Sequence, residues 1–204
     1  MAQRNVTRLK FAPTNVYVEA RLLTLTPTMI DTMLRQWWSS SALLSNFEPQ
    51  PIDRHWHWKD SEIERKGVVM GAEIIGVVTG DGAIQGAMQI SKQAYPSGLV
   101  DDAGSLLIEL LFTAPWNRPQ LRRDGMEYYK GVGMVLLAWA ARKSRRLGYK
   151  GRLRLDGSPD FVEWYERRGF QKLDEQAIVW EDIIYTPMEL PPDASLRLLR
   201  PTET

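Results

Sequence analysis

Residues 105–156 constrain the fold more than any other part of the chain. They begin with an almost wholly apolar run, residues 105–113 (SLLIELLFT), closed by Ala114-Pro115. Further on, Gly131-Val132-Gly133 opens residues 131–147, which are apolar nearly all round from Met134 to Ala141 and basic from Arg142 on. Gly148 follows, and residues 152–156 then alternate Leu153 and Leu155 with Arg152, Arg154 and Asp156. A helix that is apolar on every side is buried against a sheet. Glycine just past its end is a stop signal, and period-two alternation reads as a strand. A strand, a helix and a second strand in one sheet make a right-handed parallel crossover.

The flanking sequence adds antiparallel pieces. Residues 16–25 read as a strand, with Val16, Val18 and Ala20 on one face. Thr26-Pro27 supplies a capping hydroxyl and a first-turn proline, and Met29, Ile30, Met33, Leu34 and Trp37 follow at helical spacing. A second short helix is expected over residues 41–47, before Pro49 and Pro51. Residues 53–66 are charged and Trp-rich, without a clear period. Thr79-Gly80-Asp81-Gly82 is a hairpin turn between strands at 67–78 and 83–91. Residues 95–104 and 119–127 read as loops, 160–168 as a helix stopped by Gly169, 178–184 and 186–190 as closing strands, and 194–204 as a loose tail. The sum is an α+β protein with a mixed sheet.

Composition narrows the chemistry. The chain has no cysteine, which removes disulfides, thiolate metal sites and a cysteine nucleophile. His55 and His57, its two histidines, sit one residue apart, so they cannot share a metal as an i,i+4 helical pair does. No metal site is expected. The net charge of +1 hides an uneven distribution. Residues 121–155 carry ten basic and two acidic residues, or +8, which leaves −7 for the remainder. Such a zone suits a polyanion, either a phosphorylated cofactor or nucleic acid. Residues 1–14 lack the apolar core of a signal peptide, and no apolar run approaches the ~18 residues of a membrane span. A cytoplasmic protein with no membrane partner is expected.

The glycine pair carries the chemistry. Glycine lets backbone approach a ligand closely, and the first-turn N–H groups of a helix point at an anion. Read alone, this is a pyrophosphate cradle or a glycine-containing helix start with no ligand. It is neither a GxxxxGK[ST] loop nor a GxGxxG dinucleotide motif, because Met134, Val135 and Leu136 follow Gly133.

Tyr128-Tyr129-Lys130-Gly131-Val132-Gly133 resembles the acetyl-CoA signature of the GNAT N-acetyltransferase superfamily, (Arg/Gln)-x-x-Gly-x-(Gly/Ala). Phe112 to Arg118 (FTAPWNR) is similar to that family's Val-x-Pro-x-x-Arg strand end. Trp164 to Phe170 (WYERRGF) matches its (Phe/Leu)-Tyr-x-x-x-Gly-Phe element, and Tyr185 to Leu190 (YTPMEL) resembles its closing strand. Ser158 lies seven residues before Tyr165, where the family often has Asn. The resemblance covers residues 105–190 in order. It departs at Tyr128, in place of Arg or Gln, and at residues 119–127, which separate Arg118 from the glycine turn.

The resemblance implies a GNAT fold, a mostly antiparallel sheet of about seven strands around a β-α-β cofactor-binding core. The chain would then be one domain, with residues 1–104 on the acceptor side, 105–190 as the acetyl-CoA core and 191–204 as a tail. It implies acetyl transfer from acetyl-CoA to a primary amine by direct attack. Backbone at Leu111, Phe112 and Thr113 would hold the pantetheine. Arg118, the amides of Tyr129, Lys130, Gly131, Val132, Gly133 and Met134, and Ser158 would hold the rest of the cosubstrate. Tyr165 would be the general acid toward the leaving thiolate and Glu109 the general base. The bland alternatives are a packing role for Tyr165, and for Glu109 a solvent-facing position or a structural ion pair. Trp37, Trp38, Trp56, Trp58, His55, His57 and Glu73 are weaker candidates for the acceptor side; packing or surface roles suit them better. Expected partners are acetyl-CoA and an amine, with a homodimer as an assembly open to the chain. Two other functions compete: acetylation of nucleic acid such as charged tRNA, marked by salt-dependent RNA binding, and acyl-CoA binding without catalysis.

Overall fold

A computed structural model describes residues 5–43, 72–118, 128–180 and 182–199. In chain order its elements are β1 (Val6–Phe11), β2 (Val16–Thr24), α1 (Pro27–Leu43), β3 (Ala72–Thr79), β4 (Ile84–Pro96), β5 (Gly104–Thr113), a 3-10 turn (Pro115–Asn117), β6 (Tyr129–Lys130), α2 (Val132–Arg146), β7 (Leu153–Gly157), α3 (Pro159–Glu166), β8 (Gln171–Lys172), β9 (Ile178–Trp180), β10 (Ile183–Leu190) and α4 (Pro192–Leu199). They fall into two compact units, one of Met1–Gln89 with Leu110–Leu136 and one of Ile90–Glu109 with Leu137–Thr204.

In the first unit the strands run in the order β6-β1-β2-β3-β4. β1 and β2 form an antiparallel hairpin in which Leu9 faces Val18, and β3 pairs antiparallel with β2. The turn from β3 to β4 is held by Asp81. Its carboxylate accepts from the Thr79 hydroxyl at 2.6 Å and from the Ala83 amide at 3.1 Å. The hydroxyl bond holds this carboxyl below the ordinary aspartate range. Gly82 takes the left-handed φ of 82° that the turn requires. Thr26 caps α1, its hydroxyl accepting from the Met29 amide at 3.3 Å, with Pro27 in the first turn. Ile30, Met33, Leu34 and Trp37 then point one helix face into a core with Leu25, Val78, Ile84, Ala87 and Phe112.

In the second unit β7 lies parallel to β5, pairing Leu106 with Leu153 and Leu107 with Arg154, as the strand–helix–strand pattern requires. β10 runs antiparallel to β7, β8 and β9. α2 ends in a Schellman motif: the Tyr149 amide reaches back to the Ser144 carbonyl and the Gly148 amide to that of Arg145, with Gly148 at φ 87°. Glu189 is fully buried, and its carboxylate accepts from the Ser97 hydroxyl at 2.6 Å and the Gly98 amide at 2.8 Å. Those bonds fix the connection between β4 and β5.

Several expectations change. Among the described residues the short strands β1, β6 and β8 join the larger ones, where the sequence signal is short or charged. The break between the closing strands falls at Asp182, with φ 64°, so Ile183 and Ile184 belong to the last strand. The tail holds a helix, α4, which buries Ala194, Ser195 and Leu198. An added Cβ at Gly151 would run into the Ser195 side chain, so glycine there lets α4 seat. The helix expected at 41–47 is described only to Leu43, as the end of α1. Residues 53–66 and 119–127 lie outside the described residues, and with them His55, Trp56, His57 and Trp58.

Candidate functional site

The glycine turn is built by the first unit alone. Gly131 has φ 84°, and among the described residues nothing lies within 4 Å of where a Cβ would stand. The first intrahelical bond of α2 runs from the Val135 amide to the Gly131 carbonyl at 3.0 Å. The amides of Val132 and Gly133 precede it and have no carbonyl one turn back. They sit at the positive end of the helix dipole, where an anion is stabilised. The start of α2 comes close to β4 because of Gly86, where a Cβ would meet Val132 at 2.6 Å and the Phe112 carbonyl at 3.0 Å.

A buried polar network aims this turn, and sequence reasoning missed it. Gln85 is 2% exposed. Its Oε1 accepts from Trp116 Nε1 at 2.7 Å and Asn117 Nδ2 at 3.1 Å, and its Nε2 donates to the Thr79 hydroxyl at 2.9 Å. Asn117, 4% exposed, turns its Oδ1 to the Tyr129 amide at 2.8 Å. The hairpin turn at Asp81 is thus linked through Thr79, Gln85 and Asn117 to the glycine turn. The available signal was a glutamine inside an apolar strand, but its partner lies 32 residues away. Asn117→Ala would strip the Tyr129 amide of its acceptor. A lost partner of this kind costs about 1–3 kcal/mol, so the melting temperature is expected to fall by roughly 2–12 °C. An unchanged melting curve would remove the network's role.

The other first-unit candidates lie close in sequence. Leu111 and Thr113 are half-buried and Phe112 is buried. Arg118 is buried, and its Nε donates to the Thr113 carbonyl at 3.0 Å. It therefore shapes the strand end. Phe11 packs its ring against Tyr128 and Tyr129 at 5.4 and 5.1 Å. Burial pushes the Tyr129 phenol above its ordinary pKa, with Asp81 and Tyr128 adding to the shift. Lys130 is exposed, and Gly133 and Met134 are half-buried in the first turn of α2. Trp37 is a core residue: it is fully buried, and its Nε1 donates to the Ile84 carbonyl at 3.0 Å. Glu73 accepts from the Thr24 hydroxyl at 3.1 Å.

Tyr165, Ser158 and Glu109 belong to the second unit. Tyr165 is buried between Trp164 and Phe170, edge-on to both at 5.1 and 5.3 Å. Arg168 stacks on the Trp164 ring at 3.5 Å and donates to the Trp164 carbonyl at 2.8 Å. Burial pushes the Tyr165 phenol well above its ordinary pKa, and Arg168 only partly opposes this. Gly169, at φ 93°, turns the chain back so that the Phe170 amide reaches the Tyr165 carbonyl. Ser158 caps α3 through its carbonyl, which accepts from the Phe161 and Val162 amides; its side chain makes no capping bond. Glu109 lies on the open face of β5, exposed, with Ile108 buried behind it. Its apolar neighbours in sequence therefore do not enclose it.

No protein-family model matches the chain, and no curated protein matches it. Solved structures do. An acetyltransferase of the GNAT family from Staphylococcus aureus Mu50 is 11% identical, covering 85% of this chain and 99% of that one at a TM-score of 0.54. A spermidine N-acetyltransferase SpeG chimera from Vibrio cholerae and hSSAT is 13% identical, covering 87% and 98% at 0.53. A nourseothricin acetyltransferase is 21% identical at 0.42, and the match spans 59% of this chain and 65% of that one. The chain has the acyl-CoA N-acyltransferase (GNAT) fold.

Proposed function

We propose that the protein is an acyl-CoA-dependent N-acyltransferase that moves acetyl from acetyl-CoA to a primary amine. The glycine turn carries this reading: an open, left-handed glycine before a fifteen-residue helix, aimed by Asn117, is suited to a pyrophosphate. The fold supports it, and one protein that shares the fold is named a spermidine N-acetyltransferase.

In the proposed reaction the amine nitrogen attacks the thioester carbonyl, the N–C bond forms and the C–S bond breaks. Backbone amides and carbonyls of Leu111 to Thr113 hold the pantetheine as an added strand would. Glu109, directly or through water, takes the proton that the amine loses. Tyr165 gives its phenolic proton to the departing thiolate. An ordinary phenol is protonated at neutral pH, so Tyr165 has a proton to give. The reading is tested by melting the protein with and without acetyl-CoA. A rise in melting temperature supports it; no rise with acetyl-CoA, CoA or longer acyl-CoAs overturns it.

A further inference from the structure

β1 pairs with β6 so that Lys10 stands directly opposite Lys130. Residues opposite one another in an antiparallel pair have Cβ atoms about 4.5–5.5 Å apart, and like charges there destabilise the pair. Arg8, two residues earlier on β1, faces Glu19 on β2, whereas Lys10 faces Tyr17 on that side. Among the described residues neither Lys10 nor Lys130 has a carboxylate within ion-pair distance.

The two lysines are nonetheless held together from several sides. The Ala12 amide donates to the Tyr128 carbonyl at 2.8 Å, the Tyr129 amide donates to Asn117, and the Phe11 ring packs on both tyrosines. Lys130 also immediately precedes Gly131, where no described atom lies within 4 Å of an added Cβ. Two lysines at opposed positions become favourable once a dianion lies between their ammonium groups. A phosphate monoester carries about −1.5 to −2 at pH 7 and offers three acceptor oxygens. A pyrophosphate diester at the helix start has no such terminal group to offer.

We propose that Lys10 and Lys130 form a two-lysine clamp for a phosphate monoester, the one that acyl-CoA carries on its ribose 3′ oxygen. This rests on the acyl-CoA reading above and assigns the N-terminal strand to the cosubstrate site. The test is calorimetric titration of the full chain at low salt with CoA and with 3′-dephospho-CoA. Wild type is expected to bind CoA about tenfold or more tightly than the dephospho compound, as charge-assisted bonds to a partly exposed phosphate allow. Lys10→Gln removes the charge and keeps a polar side chain; it should bring CoA down to the dephospho level, leave dephospho-CoA binding unchanged, and unfold no earlier than wild type. Lys10→Arg should keep the preference. Equal wild-type affinities for the two compounds overturn the clamp alone. So does a Gln variant that loses both compounds equally, which would make β1 a mere prop for the turn. Failure of both compounds to bind overturns the acyl-CoA reading and the clamp with it.

Discussion

Tyr165→Phe is expected to lower turnover about a hundredfold or more while leaving acetyl-CoA affinity as it was. The change removes one oxygen and keeps the ring, so the edge-on contacts with Trp164 and Phe170 survive. A pure packing role would therefore leave turnover near wild type, and that result would return Tyr165 to the core. Burial also raises the phenol pKa, so ionisation of Tyr165 should not depress activity anywhere near neutral pH. An alkaline limb just above pH 7 would have to come from another group.

Gly131→Glu is expected to abolish acetyl-CoA binding while the fold persists. Among the described residues a Cβ here meets no atom within 4 Å; the local cost is the left-handed φ of 84°, on the order of 1–2 kcal/mol for a residue with a Cβ. The larger effect is electrostatic, because a carboxylate then stands where the helix start would receive a phosphate. Wild type at a ligand concentration about 100 times its dissociation constant gains ~2.7 kcal/mol, or roughly 5–10 °C in a chain of this length. The variant should show no rise. A full rise in Gly131→Glu would move the binding site away from α2.

The β-α-β core was legible because its signals are local. The period-two alternation of residues 152–156, the apolar face of α2 and the stop at Gly148 each declare themselves within a few residues, and β5 and β7 pair parallel as required. β1 was not legible, since six residues with Arg8 and Lys10 on one face give little hydrophobic signal; the pairing with β2 and β6 forms the strand. α4 is similar: eight residues make a weak helix alone, and burial of Ala194 and Leu198 decides it. The glycine turn could be read from its motif, but the Gln85–Asn117 network behind it could not. A polar pair 32 residues apart leaves no periodic trace. For Glu109 the run LLIELLF leaves two readings open, a base among apolar neighbours and a solvent-facing position; β5 exposes it, with Ile108 buried beside it.

Acetyl transfer itself is most directly tested by following thiol release from acetyl-CoA across a panel of primary amines, including polyamines, with a thiol-reactive dye. The chain has no cysteine, so every thiol detected is CoA. Release that saturates with at least one amine, matched one-to-one by N-acetylated amine, is the expected result. Acetyl-CoA that binds but yields no thiol above the uncatalysed rate with any amine, in wild type and Tyr165→Phe alike, would contradict it and leave a protein that binds acyl-CoA without transferring the acyl group.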